Sequence, residues 1–466
     1  MNRLKPYSGI EFPDDYISTV VDGAARLLEE LGIELKSPAL RSFFSEYYPG
    51  VSFKGDRICF PRGIVHNFID ELRAQPHIPK YEHDTVLSHG ESWNCLNLAD
   101  TKSGTIRPAT EKDLARIVRF LDAYGVKGLV PPVSPSEYDA HLRDLHGTRI
   151  CLENSPVYGA PTDTPEEKEA ELYKEMSRVA ERKIWILGML LLNPMRFDER
   201  VMEFVLKHRD APEFDIQMVS GLPSLGSTSP LVYPAAHIQG LAEDLASCLF
   251  MKASMGYNEP PYLRGDPFDM RYMNFVIAGP EYIMSDMANR KLYKYFAGED
   301  RWWGYLLTMS KWPDQQAMYE RSTCCYLQAL NGATYFKGSG QMASDEVYSP
   351  EQVVFDRAIV KGAEHMLKGS AVTQSVDEAL ETIKEGISEG HFLSHDTTME
   401  NFRDFFCETE VFPATNLGQW KSQGEPGDLE QASRIVEKVS QENEFQRPSE
   451  VIKELRNICK KGEEIL

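Results

Sequence analysis

Short apolar runs alternate with segments of helical periodicity from Trp93 to Met366. Trp93–Leu98, "VKGLV" (Val126–Val130), Glu153–Tyr158, "IWILGMLLL", "DIQMVS", "PYLRGD", "WWGYLLTM" and "ATYFKG" read as strands, and a helical pattern follows each. Local signals mark the helix starts. Thr110 stands three residues before Asp113, a capping-box pair, and Leu114, Ile117, Val118 and Leu121 supply the buried stripe behind it. Ser349 precedes Pro350, with Gln352 at the reciprocal capping position. Alternation of this regularity implies an α/β protein with a parallel sheet. Eight units suggest closure into a (β/α)8 TIM-type barrel, and runs apolar on both faces suit a barrel wall. An open doubly wound sheet is the alternative; it is disfavoured because no GxGxxG follows an early strand.

Outside the repeat the pattern changes. Ile17, Val20, Val21, Ala24, Leu27, Leu28 and Leu31 predict an amphipathic helix stopped at Gly32, and "GVSFKGDRICFP" alternates like a strand pair. The expected organisation is an N-terminal α+β layer over 1–85, the barrel over 86–374, and a C-terminal helical extension over 375–466 that folds back on the barrel.

The net charge of -21 argues against nucleic acid and anionic membranes as partners, and is compatible with a cationic small molecule. Eight dispersed cysteines without a CxxC read as reduced thiols. The N-terminus carries no apolar signal core, and the longest apolar run, Ile184–Leu192, is too short for a bilayer, so a cytoplasmic protein is expected. No HEXXH or Cys/His cluster points to a metal, and no GxSxG to a serine nucleophile.

Two groups of residues near expected strand ends stand out. One is aromatic: Tyr158, Tyr257, Tyr262, Trp302, Trp303, Trp312, Tyr335 and Phe336, which could line a cleft for a quaternary ammonium through cation–π attraction. The other is polar: Arg264 and Asp266 close one strand, and Asp314 and Gln315 open a helix. An arginine so placed can take a carboxylate bidentately or pair with its neighbouring aspartate. After "ATYFKG" comes a long acidic stretch, "SGQMASDEVYSPEQ", on the face where barrels place their chemistry. It is expected to form a wall of the site, bringing Tyr348 and Asp345 toward the mouth beside Trp312.

Several segments, in order, resemble the trimethylamine methyltransferase family: "AARLLEELGIEL", "DTKSGTIRPATEKDL", "PDQQAMYE", "SPEQVVFDRAI" and "GHFLSHDTT". The resemblance is to the branch that lacks pyrrolysine, since only standard residues occur here. It implies transfer of a methyl group from a methylated amine to Co(I) of a corrinoid on a separate small protein. For this branch it implies quaternary amines such as glycine betaine, proline betaine or carnitine. No tightly bound cofactor and no metal of its own are expected, and a homo-oligomer is. His391, in the last motif, is expected to close over the barrel mouth. A non-catalytic quaternary-amine binder and an unrelated barrel lyase are the competing readings.

Overall fold

The computed structural model describes residues 3–4, 11–75, 86–90, 92–298, 303–371 and 374–466. It is a mixed α/β protein of many helices and small sheets. The expected caps form. Thr110 and Asp113 make a full capping box on Glu111–Ala123, and the Ser349 side chain accepts from the Gln352 amide at the start of Pro350–Lys368. Among the described residues no helix is long and apolar enough to cross a membrane.

The repeat appears as parallel pairings, though several are shorter than the sequence predicts. Ile184–Met189 pairs in parallel with Phe214–Val219 over its full length. Trp303–Tyr305 pairs in parallel with Tyr335–Lys337, and that strand with Ser88–Gly90, so the last unit lies beside the first. Gly90 in turn bridges Lys127 in parallel. Three expectations are corrected. The strand beside the last unit is Ser88–Gly90; the backbone at 93–96 makes only a bridge at Cys95, and Asn97–Asp100 joins a separate sheet. Glu153 and Asn154 end the helix Arg143–Asn154, which starts later than Tyr138, because the apolar residues there continue at helical spacing. Residues 261–265 form no strand, and pairing begins at Asp266, against Ser224.

The N-terminal layer contributes Tyr16–Glu30, Pro38–Tyr47, Arg62–Arg73 and a three-stranded antiparallel sheet. It shares one core with the repeat: Val20, Leu28, Phe44 and Phe60 pack in the same cluster as Leu241, Leu245 and Phe250 of Ala235–Met255. At the other end of the chain, Asp428–Gln441 and Ser449–Ile465 bury Ala432, Val436, Leu455 and Ile458 against the body.

The stretch after Lys337 is a packed hairpin rather than an open loop. Gln341–Met342 pairs with Val347–Tyr348, and of its polar tip only Asp345 and Glu346 are exposed. Ala343 and Ser344 both have positive φ, a conformation costly for residues with a Cβ. It is held by their amides, which donate to the Ser310 and Thr308 carbonyls. Beneath it, Asp356 accepts from Arg321 through both oxygens, from the Gly340 amide, from Ser339 Oγ and from Gln352 Nε2.

Candidate active site

Strand alternation decides which side chains can meet. Gly304, Phe336 and His89 are register partners on one face. Phe336 packs with Cys325, Ala329 and Ile359 of the flanking helices, and His89 bonds Ser339, so this face looks outward to the helices. Trp303, Tyr305, Tyr335 and Lys337 therefore share the opposite, inner face. The same alternation sends Leu263 into the outer core and leaves Tyr262 and Arg264 on the inner side.

These inner residues form a connected column. Tyr262 stacks on Trp303 with ring centroids 4.7 Å apart, and its hydroxyl bonds that of Tyr305. The Arg264 guanidinium lies over the Tyr305 ring at 4.8 Å, with Nη1 3.5 Å from the Tyr305 hydroxyl. Lys337 Nζ lies 6.0 Å from the Trp303 ring centroid. Arg264 Nε and Nη2 both donate to Asp266 Oδ2, at 2.8 and 2.7 Å. Burial works against the Arg264 charge, but the Asp266 carboxylate and the Tyr305 ring oxygen beside it raise its pKa above the usual arginine value. A small cleft of about 10 Å³, room for about one water, partly open to solvent, is lined by Arg264, Gly265, Asp266, Tyr282, Asp286, Asn289 and Tyr305. Its wall is fixed from behind. Ser285 Oγ donates to the Gly265 carbonyl at 2.6 Å, and Arg290 joins Asp286 to the Trp303 carbonyl at 2.6 and 2.8 Å.

A second cleft, of about 370 Å³, lies between the connections at 140–200 and is lined by Asp144, Asp163, Glu166 and Glu169 with His141 and Arg200. Its central acids are committed locally: Thr162 donates to Asp144, and Glu169 accepts from the Glu166 amide. Burial pushes the Asp144 and Glu169 carboxyls up, toward the neutral acid.

Of the residues singled out in the sequence, Arg264 and Asp266 come together in the first cleft. Tyr335 joins the same inner face, and its hydroxyl donates to the Lys127 carbonyl at 3.3 Å. Tyr262 and Trp303 lie in the inner column; the following lie apart. Tyr158 and Tyr348 are 1% and 0% exposed in one apolar cluster, with the Tyr158 hydroxyl donating to the Val126 carbonyl. Trp312 packs against Ala99, Ala317, Met342 and Val347. Gln315 is exposed at the first turn of Gln315–Leu330, whose cap is Asp314. His391 is exposed between the helices Val376–Glu389 and Asp396–Phe405. Trp302 lies outside the described residues. Sequence reasoning missed Tyr305, Lys337, Tyr282, Asp286 and Asn289. Tyr305 was findable, because it sits two residues after Trp303 in a strand and so shares its face.

A family model described as trimethylamine methyltransferase matches residues 3–461, and the chain belongs to that family. The chain is 22% identical to the trimethylamine methyltransferase MttB of Desulfitobacterium hafniense, over 86% of this chain and 83% of that one. It is 22% identical to MttB of Methanosarcina barkeri (strain Fusaro) and 21% identical to MttB2 of Methanosarcina mazei, each over 98% of this chain and 96% of the relative.

Proposed function

We propose that this enzyme moves a methyl group from a quaternary methylated amine bearing a carboxylate, of the glycine betaine kind, to Co(I) of a corrinoid carried by a partner protein. The relatives are named for trimethylamine, and the substrate assignment here departs from them on one observation. The inner aromatic faces that could hold a bare cation already face cations of the protein itself, Arg264 over Tyr305 and Lys337 over Trp303. A second positive charge there meets repulsion. An anionic group is drawn in, and Arg264, which lines the cleft, makes only a long contact through Nη1, 3.5 Å to the Tyr305 hydroxyl. The carboxylate thus lies inward on Arg264, and the methylated nitrogen points out toward the acceptor.

The same reading takes the parallel segments as parts of a closed (β/α)8 barrel, with Ser88–Gly90 beside Tyr335–Lys337 as the closing pair. The Arg264 cleft then sits beside Tyr305, the last residue of Trp303–Tyr305, at the end of the strands where barrels place their sites. The transfer breaks one N–CH3 bond. The nitrogen keeps the bonding pair and leaves as a neutral tertiary amine, while the methyl carbon bonds to the reduced cobalt, which supplies its own electron pair. No proton moves, so no acid or base is required. The chain's task is positioning: Arg264 orients the substrate, Asp266 and Tyr305 fix Arg264, and the aromatic column shapes a cavity that limits water.

The test is methyl transfer to reduced cobalamin across a panel of zwitterionic quaternary amines, choline, tetramethylammonium and trimethylamine. Turnover with a carboxylate-bearing amine, well above the bare cations, is the expected result. Turnover best with trimethylamine would overturn the substrate assignment. Binding of betaines without transfer to any cobalt acceptor would favour a non-catalytic binder.

A further inference from the structure

The segment from Gln374 to Glu408 behaves unlike the rest of the chain. Its two helices, Val376–Glu389 and Asp396–Phe405, form a hairpin with its own internal joints. Glu385 bonds His395 at 3.1 Å. The Phe392 ring lies so close to Gly386 that a Cβ there would stand 2.0 Å from it. Against the body the hairpin has one recorded hydrogen bond among the described residues, His365 Nε2 to the Phe405 carbonyl at 3.0 Å. The chain rejoins the core at Val411 and at Phe412, which stacks on Phe355.

The outer surface of this arm is apolar. Val376, Leu380, Ile383 and Ile387 recur at spacings of four, three and four, one helix stripe, and are 76%, 49%, 47% and 70% exposed. Leu393 at the turn, then Met399, Phe402, Phe405 and Phe406, extend the patch across the second helix. Isolated helices of this length are marginal in water, so an arm this bare needs a cover to persist. The exposed side chains amount to roughly 1,000 Å² of apolar surface, compared with the ~800 Å² per partner of a standard stable interface.

The position of the arm selects the occupant. It follows Pro350–Lys368, whose far end reaches the start of the strands: Glu364 accepts from the Leu87 amide, just before Ser88–Gly90. The arm is therefore rooted at the end of the molecule opposite the Arg264 cleft. A methyl-accepting protein has to reach that cleft and cannot cover the root of the arm at the same time. A second copy of this chain can, and a self-complementary patch on a two-fold axis needs only one such surface. We infer that the hairpin 374–408 is a dimerisation arm, its apolar stripe packed against the same arm of a second copy, leaving both clefts open. The flanks of the arm carry Asp377, Glu378, Glu381, Glu385 and Glu389 with Lys384. Like charges on the two copies repel, so added salt strengthens the dimer.

Sedimentation of the full chain over a wide dilution range tests this. The expected species has twice the 52.9 kDa of one chain, and association tightens with salt. Replacing both Ile383→Glu and Ile387→Glu weakens self-association roughly a hundredfold or more while methyl transfer per chain is kept. Hydrogen exchange on the unmodified protein gives a readout that needs no variant: amides of 376–405 lose protection on dilution. A single-chain species at all concentrations overturns the inference. So does a dimer that the double variant leaves intact, or protection of the arm that appears only when a corrinoid protein is added.

Discussion

Two arginine–aspartate pairs hold the two sides of this molecule, and they are built for different ends. Arg321 and Asp356 are both 0% exposed. Burial alone would push the Asp356 carboxyl up and the Arg321 guanidinium down. The carboxylate answers with partners on every side: Arg321, Ser339, the Gly340 amide and Gln352. Arg321 Nε and Gln352 Oε1 stay without a hydrogen-bond partner, but the pair is sealed from solvent, and it locks the hairpin after the last strand onto Pro350–Lys368. Arg264 and Asp266 are also close, but Asp266 uses one oxygen for both contacts, and the guanidinium is 17% exposed on a solvent-reached cleft. A pair sealed from solvent organises the fold; one whose arginine borders a cleft is available for chemistry.

The comparison breaks most severely at the closed pair. Asp356→Asn leaves Arg321 buried without its counter-charge and should cost about 3–5 kcal/mol of stability, read from urea unfolding midpoints. A loss below about 1 kcal/mol would mean that the network is not closed.

Arg264→Met should act on turnover as well. Asp266 is only 4% exposed, so the loss of its counter-charge costs up to about 3–5 kcal/mol of stability, while kcat/KM per folded molecule for a carboxylate-bearing quaternary amine falls about a hundredfold, roughly 3 kcal/mol. Turnover of choline should change far less. An equal fall for both substrates would show that Arg264 shapes the cleft rather than reading the carboxylate.

A smaller effect is pH-dependent and belongs to the closed side. His89 lies beside Ser339, which donates to Asp356. Burial, with Arg357 and Arg321 nearby, lowers its pKa from 6.5 to about 3. The unfolded chain takes up this proton first. The stabilisation is therefore full above pH 6.5 and is lost as pH falls toward 3. His89→Asn should flatten part of the decline in unfolding free energy between those limits, with a residue left from His237, whose pKa burial lowers to about 4. An unchanged pH slope would remove His89 from the account. At the bottom of the scale, Gln315→Ala should alter stability by less than about 0.5 kcal/mol and leave turnover unchanged, since Gln315 is exposed away from the cleft.

Much of this was written locally in the chain. The capping boxes, Ser349–Pro350 and the Ile184–Met189 and Phe214–Val219 strands follow from nearest-neighbour chemistry, and they formed where expected. Arg264 and Asp266 were legible because they are two residues apart and close an apolar run. Tyr348 and Trp312 were misplaced for a physical reason: the stretch around them reads as polar loop, but Gly338, Gly340 and the Asp356 network fold it into a buried hairpin. Its partners come from other units of the chain, and no local pattern announces them.

By itself the sequence determined the α/β class, several helix ends, the family, and one polar pair that meets at a cleft. Period-two alternation also fixed which strand residues share a face. Which of the two faces looks inward was decided only by tertiary structure, because it depends on Phe336 and His89 finding helices contributed from elsewhere. That choice set Lys337 over Trp303 and Arg264 over Tyr305 across distances the sequence does not encode, so the aromatic faces expected to meet a free cation meet cations of the protein itself.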